Sequence, residues 1–600
     1  MYNMSRRDFL KVSAIAASSL MISTGLSGCG SDDNDDRISV SFNHGVASGD
    51  PLSDKVIIWT RVTHNDTQNS SDLTVSFEVS TDETFSNIVN DGTYTAKESE
   101  DFTVKIDVQN LTAGTKYFYR FISYGKTSDI GIAKTLPATD VNPDQVKMAV
   151  FTCANYPNGY FNAYTEASKI TDLDVSIHVG DYIYEYGMYE NDDFDTKTPA
   201  YATSKAQTIG RVLPDDNNTE CIELNDYRKR YALYHTDSGT QAIHAACPMI
   251  VVWDDHEIAN DSYKDGAQNH DDTEGDFNTR TQNALQAYFE WLPIRPIDNK
   301  KEIFRSFDFG NLVSLHMLET RIFGRDEQLS YTNYYNTDGS FKTDEFTADL
   351  TSTTRTMLGS DQLTWLQGQL TNSSATWQVL GQQVLMGRMS LPAEILTPIG
   401  MLEHPEAYGT TKEDLLTQIN SLITEFVTIK TRILQGDTTV TTEEQTRLAT
   451  VLPYNLDAWD GYFFERETIL GTANALGKKL VVLAGDTHNA WASNLTNVSG
   501  EQIGVEFATP SVTSPGLEDY VGLTTTEASQ GFEGALQLLI DDLQYTNTYD
   551  RGFMTVTFTT NNVEAKWNFI DNYDSTTYNL DSAREKAITV SNTNNPLVIS

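Results

Sequence analysis

Cysteine is scarce in this chain, with 4 in 600 residues. Basic residues are few as well: 42 Lys and Arg stand against 84 Asp and Glu, for a formal net charge of −42. A surface this acidic excludes nucleic-acid binding as a main role, because phosphate backbones are held by clustered Lys and Arg. It also repels anionic small molecules at long range, so a phosphate site here needs local cations, either metal or Arg. Beyond the N-terminus no apolar stretch reaches the roughly 20 residues of a bilayer span. The mature chain is therefore expected to be soluble or held at a membrane by lipid alone. A Gly-x-Ser-x-Gly elbow and a P-loop are both missing, which removes the usual serine hydrolases and P-loop NTPases. There is no internal repeat.

What the N-terminus does contain is an address. Ser5-Arg6-Arg7-Asp8-Phe9-Leu10-Lys11 reads as a twin-arginine export signal. The uncharged stretch after it ends in Leu26-Ser27-Gly28-Cys29, similar to a bacterial lipoprotein processing box. Cys29 would then carry lipid, the only membrane attachment expected, and the protein would reach the periplasm or cell surface. The twin-arginine route exports folded proteins, which suits an enzyme loaded with metal beforehand. Of the other cysteines, Cys153 follows an apolar run. Cys221 and Cys247 remain, either as a disulfide in an oxidising compartment or as buried thiols.

Six hundred residues predict two or more domains. Residues 1–29 are the signal and 30–37 a polar tether. Residues 38–136 alternate apolar and polar positions between closely spaced turns, as an antiparallel β-sandwich does. Residues 137–145 read as a linker. From 146 to 575 strands alternate with helical stretches over 166–170, 224–235, 276–291, 359–371 and 412–434, an α/β arrangement. Residues 192–221 and 405–450 look like exposed insertions. A hairpin is expected over 555–569, and 576–600 read as a polar tail.

Four stretches carry metal-ligand residue types directly after apolar runs: Phe151-Thr-Cys153, Gly180-Asp-Tyr-Ile-Tyr184, Trp253-Asp-Asp-His-Glu257 and Gly485-Asp-Thr-His488. The ends of buried strands are where open α/β sheets place their sites. Asp181 and Tyr184 stand three apart, close enough for a loop to turn both onto one ion. An aspartate can bridge two metals, a tyrosinate suits Fe3+, and the Cys153 thiolate is also compatible with iron. Asp255 is a candidate for a second metal. His256 is a candidate proton donor to a phosphoryl or leaving oxygen. Asp486 and His488 share a face in an extended segment, so each could serve one metal. Any one stretch alone would read as a turn Asp or a structural His; four together point to a two-metal hydrolase.

These stretches resemble blocks of the PhoD-like alkaline phosphatases, a branch of the calcineurin-like metallophosphoesterases related to purple acid phosphatases. The resemblance extends to Asn43-His-Gly-Val-Ala-Ser-Gly-Asp-Pro51, Asp265-Gly-Ala-Gln-Asn-His270 and Trp459-Asp-Gly-Tyr462, so it covers nearly the whole mature chain. It implies a fibronectin- or Ig-like N-terminal β-sandwich followed by an α/β metallophosphoesterase domain, a four-layer αββα sandwich. It implies that Cys153, Asp181, Tyr184 and His488 hold Fe3+. Asp255 and Asp486 would hold the divalent partner, one or two Ca2+, which their hard oxygens favour. Arg321 and Arg325 become candidate catalytic clamps on phosphate. Two departures stand out: Glu319 replaces the family's Asp before Thr-Arg, and Gln382-Gln383 replace its His after a strand.

The reaction implied is hydrolysis of phosphate mono- or diesters by a metal-bound hydroxide, with His256 assisting the leaving group and phosphate released. A monomer is expected. The alternatives are a phosphodiesterase or phospholipase D-like preference, and a non-catalytic surface protein that uses metal for stability.

Overall fold

The computed structural model describes residues 38–188, 198–336, 341–402 and 405–599. The expected export signal, lipidated Cys29 and tether lie outside the described residues. Gln145–Phe151, Val175–His178 and Met249–Val251 form the centre of a nine-stranded sheet. They pair in parallel, Met148 opposite Val175 and Ser176 opposite Met249. Both faces are covered, which is why they read as continuous apolar runs. Arg551–Thr559 joins antiparallel, and Asn562–Ile570 folds back on it as the expected hairpin.

A second, seven-stranded sheet is built around Val313–Met317, Trp377–Gly381, Leu480–Ala484 and Gln502–Ala508. Strand alternation decides which layer each side chain joins. Val481 and Leu483 share a core with Met148, Val150 and Ile177 of the first sheet. Leu480, Val482 and Ala484 turn the other way, into a core with helices Gly359–Asn372, Phe463–Ala475 and Thr526–Leu539. Two indoles tie the sheets together: Trp377 Nε1 donates to Thr559 O and Trp567 Nε1 to Ala508 O, each at 2.8 Å. Helices Asn162–Ser168, Leu224–Tyr234, Ser238–Ala246 and Phe277–Trp291 pack on the first sheet. The result is the four-layer α/β sandwich that the sequence led us to expect.

The N-terminal strands contain a surprise. Gly131–Lys134, Lys116–Ser123, Leu73–Ser80 and Ile88–Ala96 make one sheet of their own. Val46–Gly49, Val56–Arg61 and Thr103–Val108 do not close a separate partner sheet; they continue the nine-stranded one. Gly49 stands opposite Met249, and Asp50 N donates to Met249 O at 3.1 Å. A Cβ on Gly49 would come within 2.4 Å of Pro293 O, so this junction needs glycine. Asp50 accepts from Arg305 Nη2 at 2.7 Å and Arg295 N at 2.8 Å, while Arg305 also donates to Val251 O at 2.9 Å.

Two readings need correction. Residues 576–600 are not merely a tail: Lys586–Ser591 pairs along Asn562–Ile570, and Val590, Leu597 and Ile599 are buried. Its alternation is short and diluted by polar neighbours, which hid it. The described part of 192–221 is not an exposed insertion, since Ala202, Ala206, Arg211 and Cys221 are buried. Of the two alternatives left open for Cys221 and Cys247, the structure has free buried thiols. They sit in different elements, Cys221 N bonded to Glu185 O and Cys247 following Ser238–Ala246.

Candidate metal centre

Each candidate ligand leaves the end of a strand just described. Three come from adjacent parallel strands of the first sheet and the fourth segment from the second, so the site lies where the two sheets' strand ends meet. Cys153, Asp181, Asp486 and His488 all adopt positive φ, between 56° and 64°. Non-glycine residues avoid this region, and its clustering here is strain held by the surrounding structure. Gly180 makes the close approach possible: a Cβ there would lie 2.4 Å from Asp254 Cβ.

The geometry gathers two groups of donor atoms able to hold an ion, Cys153 with Asp181 and His488, and Asp181 with Asp255 and His256. Asp181 belongs to both. Its Oδ2 is 3.3 Å from Cys153 Sγ and 3.1 Å from Tyr184 OH, which is 3.2 Å from His488 Nε2. Asp181 Oδ1 is buried and has no hydrogen-bond partner. His488 donates through Nδ1 to Pro515 O, which leaves the Nε2 lone pair facing the cluster. Asp486 falls outside both groups but is joined to the site through Arg321, 3.1 Å from its Oδ1 and 3.9 Å from Asp255 Oδ1.

The electrostatics call for cations. Burial pushes Cys153 and Asp181 well above their ordinary ranges, with neighbouring carboxylates adding to the effect. Asp486 is raised for the same reasons, and Asp254 and Asp261 are pushed up to about 6 and about 7. Burial also raises the Tyr184 phenol and lowers His488 to about 3. Burial opposes ionisation of Asp255 too, but Arg321, His256 and backbone N–H groups outweigh it and hold that carboxyl low. His256 is desolvated, yet Asp255, Glu185 and Asp181 hold its pKa high. Cys153, Asp181, Tyr184 and Asp486 would give up their protons to an incoming cation, while Asp255 and His488 are already deprotonated donors. With the unpaired Asp181 oxygen, this donor set fits a metal pair.

Several residues important to the site escaped the sequence reading. Glu185 accepts from His256 Nδ1 at 2.7 Å and fixes that ring. Glu257 accepts from the backbone N–H of Asp181 at 3.0 Å, of Asp254 at 2.7 Å, and of Tyr182. Residues 509–515, following strand Gln502–Ala508, wrap the ligands from behind. A polar loop directly after a buried strand was the signal available for that segment.

Arg321 and Arg325, the candidate phosphate clamps, are engaged with carboxylates in this arrangement. Both are fully buried. Arg321 donates to Asp254, to Asp457 at 2.8 Å and to Asp486. Arg325 donates to Asp457 and to Thr320 O at 3.2 Å, beneath the Tyr462 ring. Glu319 is also structural, accepting from Trp253 Nε1 and the N–H groups of Arg321, Ile322 and Phe323. Gln383 spends its amide on Thr320, Trp253 O and Leu318 O, and Gln382 on Trp459 and Val384 O. Neither glutamine enters a donor group.

A four-layer α/β sandwich with a buried carboxylate–thiol–imidazole cluster at its strand ends is the architecture of a metallophosphoesterase. The sequence comparisons agree and go further. The PhoD-like phosphatase model matches residues 148–567, and that of the PhoD-like phosphatase N-terminal domain matches 28–137, so the chain belongs to the PhoD-like phosphatase family. It is 33% identical over 491 residues to alkaline phosphatase D of Bacillus subtilis (strain 168), covering 80% of this chain and 70% of that protein. A solved structure of PhoD matches with a TM-score of 0.70 at 28% identity, over 93% of this chain and 92% of that one. The protein is a phosphatase of the hydrolase class.

Proposed function

We propose that this phosphatase is an exported enzyme whose centre holds a ferric ion and calcium, and that it hydrolyses phosphate mono- or diesters. Cys153, Asp181, Tyr184 and His488 would hold the iron, and Asp255 and Asp486 would join Asp181 around one or two Ca2+. The observation that carries this reading is Asp181, shared by both donor groups, with one oxygen engaged and the other buried without a partner. Thiolate and phenolate donors suit iron on one side, and carboxylate oxygens suit calcium on the other. When bound, such a pair supplies Lewis acidity and an acidified water as nucleophile.

The chain's own residues supply the rest. His256, its Nδ1 fixed by Glu185, offers Nε2 as proton donor to the leaving oxygen. Arg321 holds Asp254, Asp457 and Asp486 in place, so its contribution is to position ligands. Arg325 steadies Asp457 behind it. The Ser5–Lys11 segment and Cys29 support export with a lipid anchor at the periplasm or cell surface.

The test is elemental analysis of the purified protein and its D181N variant, with turnover of one monoester and one diester. The variant should lose both bound metal and turnover, and full activity in D181N would sink the bridging assignment. The relative turnover of the two esters decides the preference. Absence of hydrolysis of either ester, read as phosphate from the monoester or as alcohol from the diester, by a metal-loaded enzyme would overturn the reading.

A further inference from the structure

Residues 509–515 hold three of the candidate ligands at once. Ser511 N donates to His488 O at 3.1 Å, and Pro515 O accepts from His488 Nδ1. Thr513 N and Ser514 N both approach Cys153 O at 3.4 Å. The third attachment is a side chain: Ser514 Oγ lies 2.7 Å from Tyr184 OH and 3.2 Å from Cys153 O. Ser514 is completely buried.

We infer that Ser514 tunes Tyr184, its hydroxyl donating a hydrogen bond to the phenol oxygen and weakening that oxygen as a donor to iron. The inference rests on the reading that Tyr184 binds a ferric ion. A serine hydroxyl has one proton and here faces two acceptors. An ionised phenolate at 2.7 Å outcompetes a neutral carbonyl at 3.2 Å, because charge-assisted bonds are shorter and stronger. The other polar neighbours of the Tyr184 oxygen are Asp181 Oδ2 at 3.1 Å and His488 Nε2 at 3.2 Å. Both would themselves be ligands and have no proton to give. Among the described residues, Ser514 is then the hydrogen-bond donor to that oxygen.

A hydrogen bond of this kind draws electron density from the ligand and adjusts the metal's properties from the second layer. It raises the energy needed to move an electron from phenolate to iron, and it makes the ferric state easier to reduce. Removing it should do the reverse.

The experiment compares the visible charge-transfer band, the iron content and the iron midpoint potential of the full-length protein with those of S514A and S514T. The expected result is that S514A keeps its iron, moves its band to longer wavelength and has a more negative potential, while S514T retains the parent band. If S514A loses iron, S514C, with a weaker donor of similar size, must show the same direction of shift. An iron-loaded S514A or S514C with an unmoved band overturns the role of Ser514 and leaves the ferric reading intact. A parent protein without iron or a visible band overturns the ferric reading, and this inference with it.

Discussion

Glu257 accepts the backbone N–H of Asp181 at 3.0 Å, although it belongs to neither donor group. The same carboxylate receives Asp254 N and Tyr182 N, so one side chain fastens the loops that carry Asp181, Tyr184 and Asp255. Glutamine has one acceptor oxygen and cannot receive all three. E257Q should therefore leave a buried N–H unpaired and cost about 1–3 kcal/mol. Displaced ligands should also weaken metal binding about 10–100-fold, as loss of outer-layer partners typically does. Chelator competition and thermal unfolding measure the two effects; unchanged metal affinity would show that the loops hold themselves.

Arg321 separates two roles that sequence alone leaves open. A phosphate clamp would show a raised KM at unchanged stability. A buried brace among Asp254, Asp457 and Asp486 should show the opposite emphasis. Removing one partner of a buried ion pair costs about 3–5 kcal/mol, because the remaining charges stay desolvated. R321M should thus unfold at a clearly lower temperature and bind metal poorly. A variant of parental stability with only KM altered would restore the clamp.

The shared sheet makes a prediction about cooperativity. Val46–Gly49 covers the edge of Met249–Val251, and Arg305 ties Asp50 to Val251 O. The N-terminal strands and the catalytic sheets should then unfold in one calorimetric transition. D50A should lower that transition by a loss of about 1.5–3 kcal/mol, the range for hydrogen bonds to a charged group. Two well-separated transitions in the parent protein would contradict the continuity.

Much of the site was legible because its signals are local. Buried strands such as Leu480–Ala484 are apolar runs, and a ligand after a strand end needs no long-range information to be noticed. Helix Lys412–Leu434 fell on its expected residues because an amphipathic run with Thr411 as N-cap declares both its face and its start. The missing parts are long-range. That Gly49 would pair with Met249, 200 positions away, is invisible to periodicity. The same is true of Ser514 meeting Tyr184 and Asp457 meeting Arg321. Arg321 reads as a clamp because Arg suits phosphate, and its burial among three carboxylates, which favours a bracing role, is a long-range fact that periodicity does not carry.

Acid should destabilise the fold through buried histidines that are not candidate ligands. His44, His178 and His244 are buried, and desolvation lowers each to about 3. They are held neutral among aromatic partners: Tyr164 OH is 2.9 Å from His178 Nε2, and Tyr182 OH lies 3.2 Å from His244 Nε2. Their folded pKa lies below the unfolded value, so the unfolded chain binds more protons between about pH 6.5 and 3. The stability they contribute is complete above that window and drains as pH falls through it. Each site adds a slope of about 1.4 kcal/mol per pH unit. Glu506, raised by burial to about 7, works in the opposite direction, so a single curve mixes both signs. The difference between parent and H244Q isolates one histidine. Denaturant unfolding at pH 6, 5.5, 5 and 4.5 should give H244Q a shallower decline by about that one slope. Parallel curves would mean that His244 takes up its proton in the folded state as readily as in the unfolded chain.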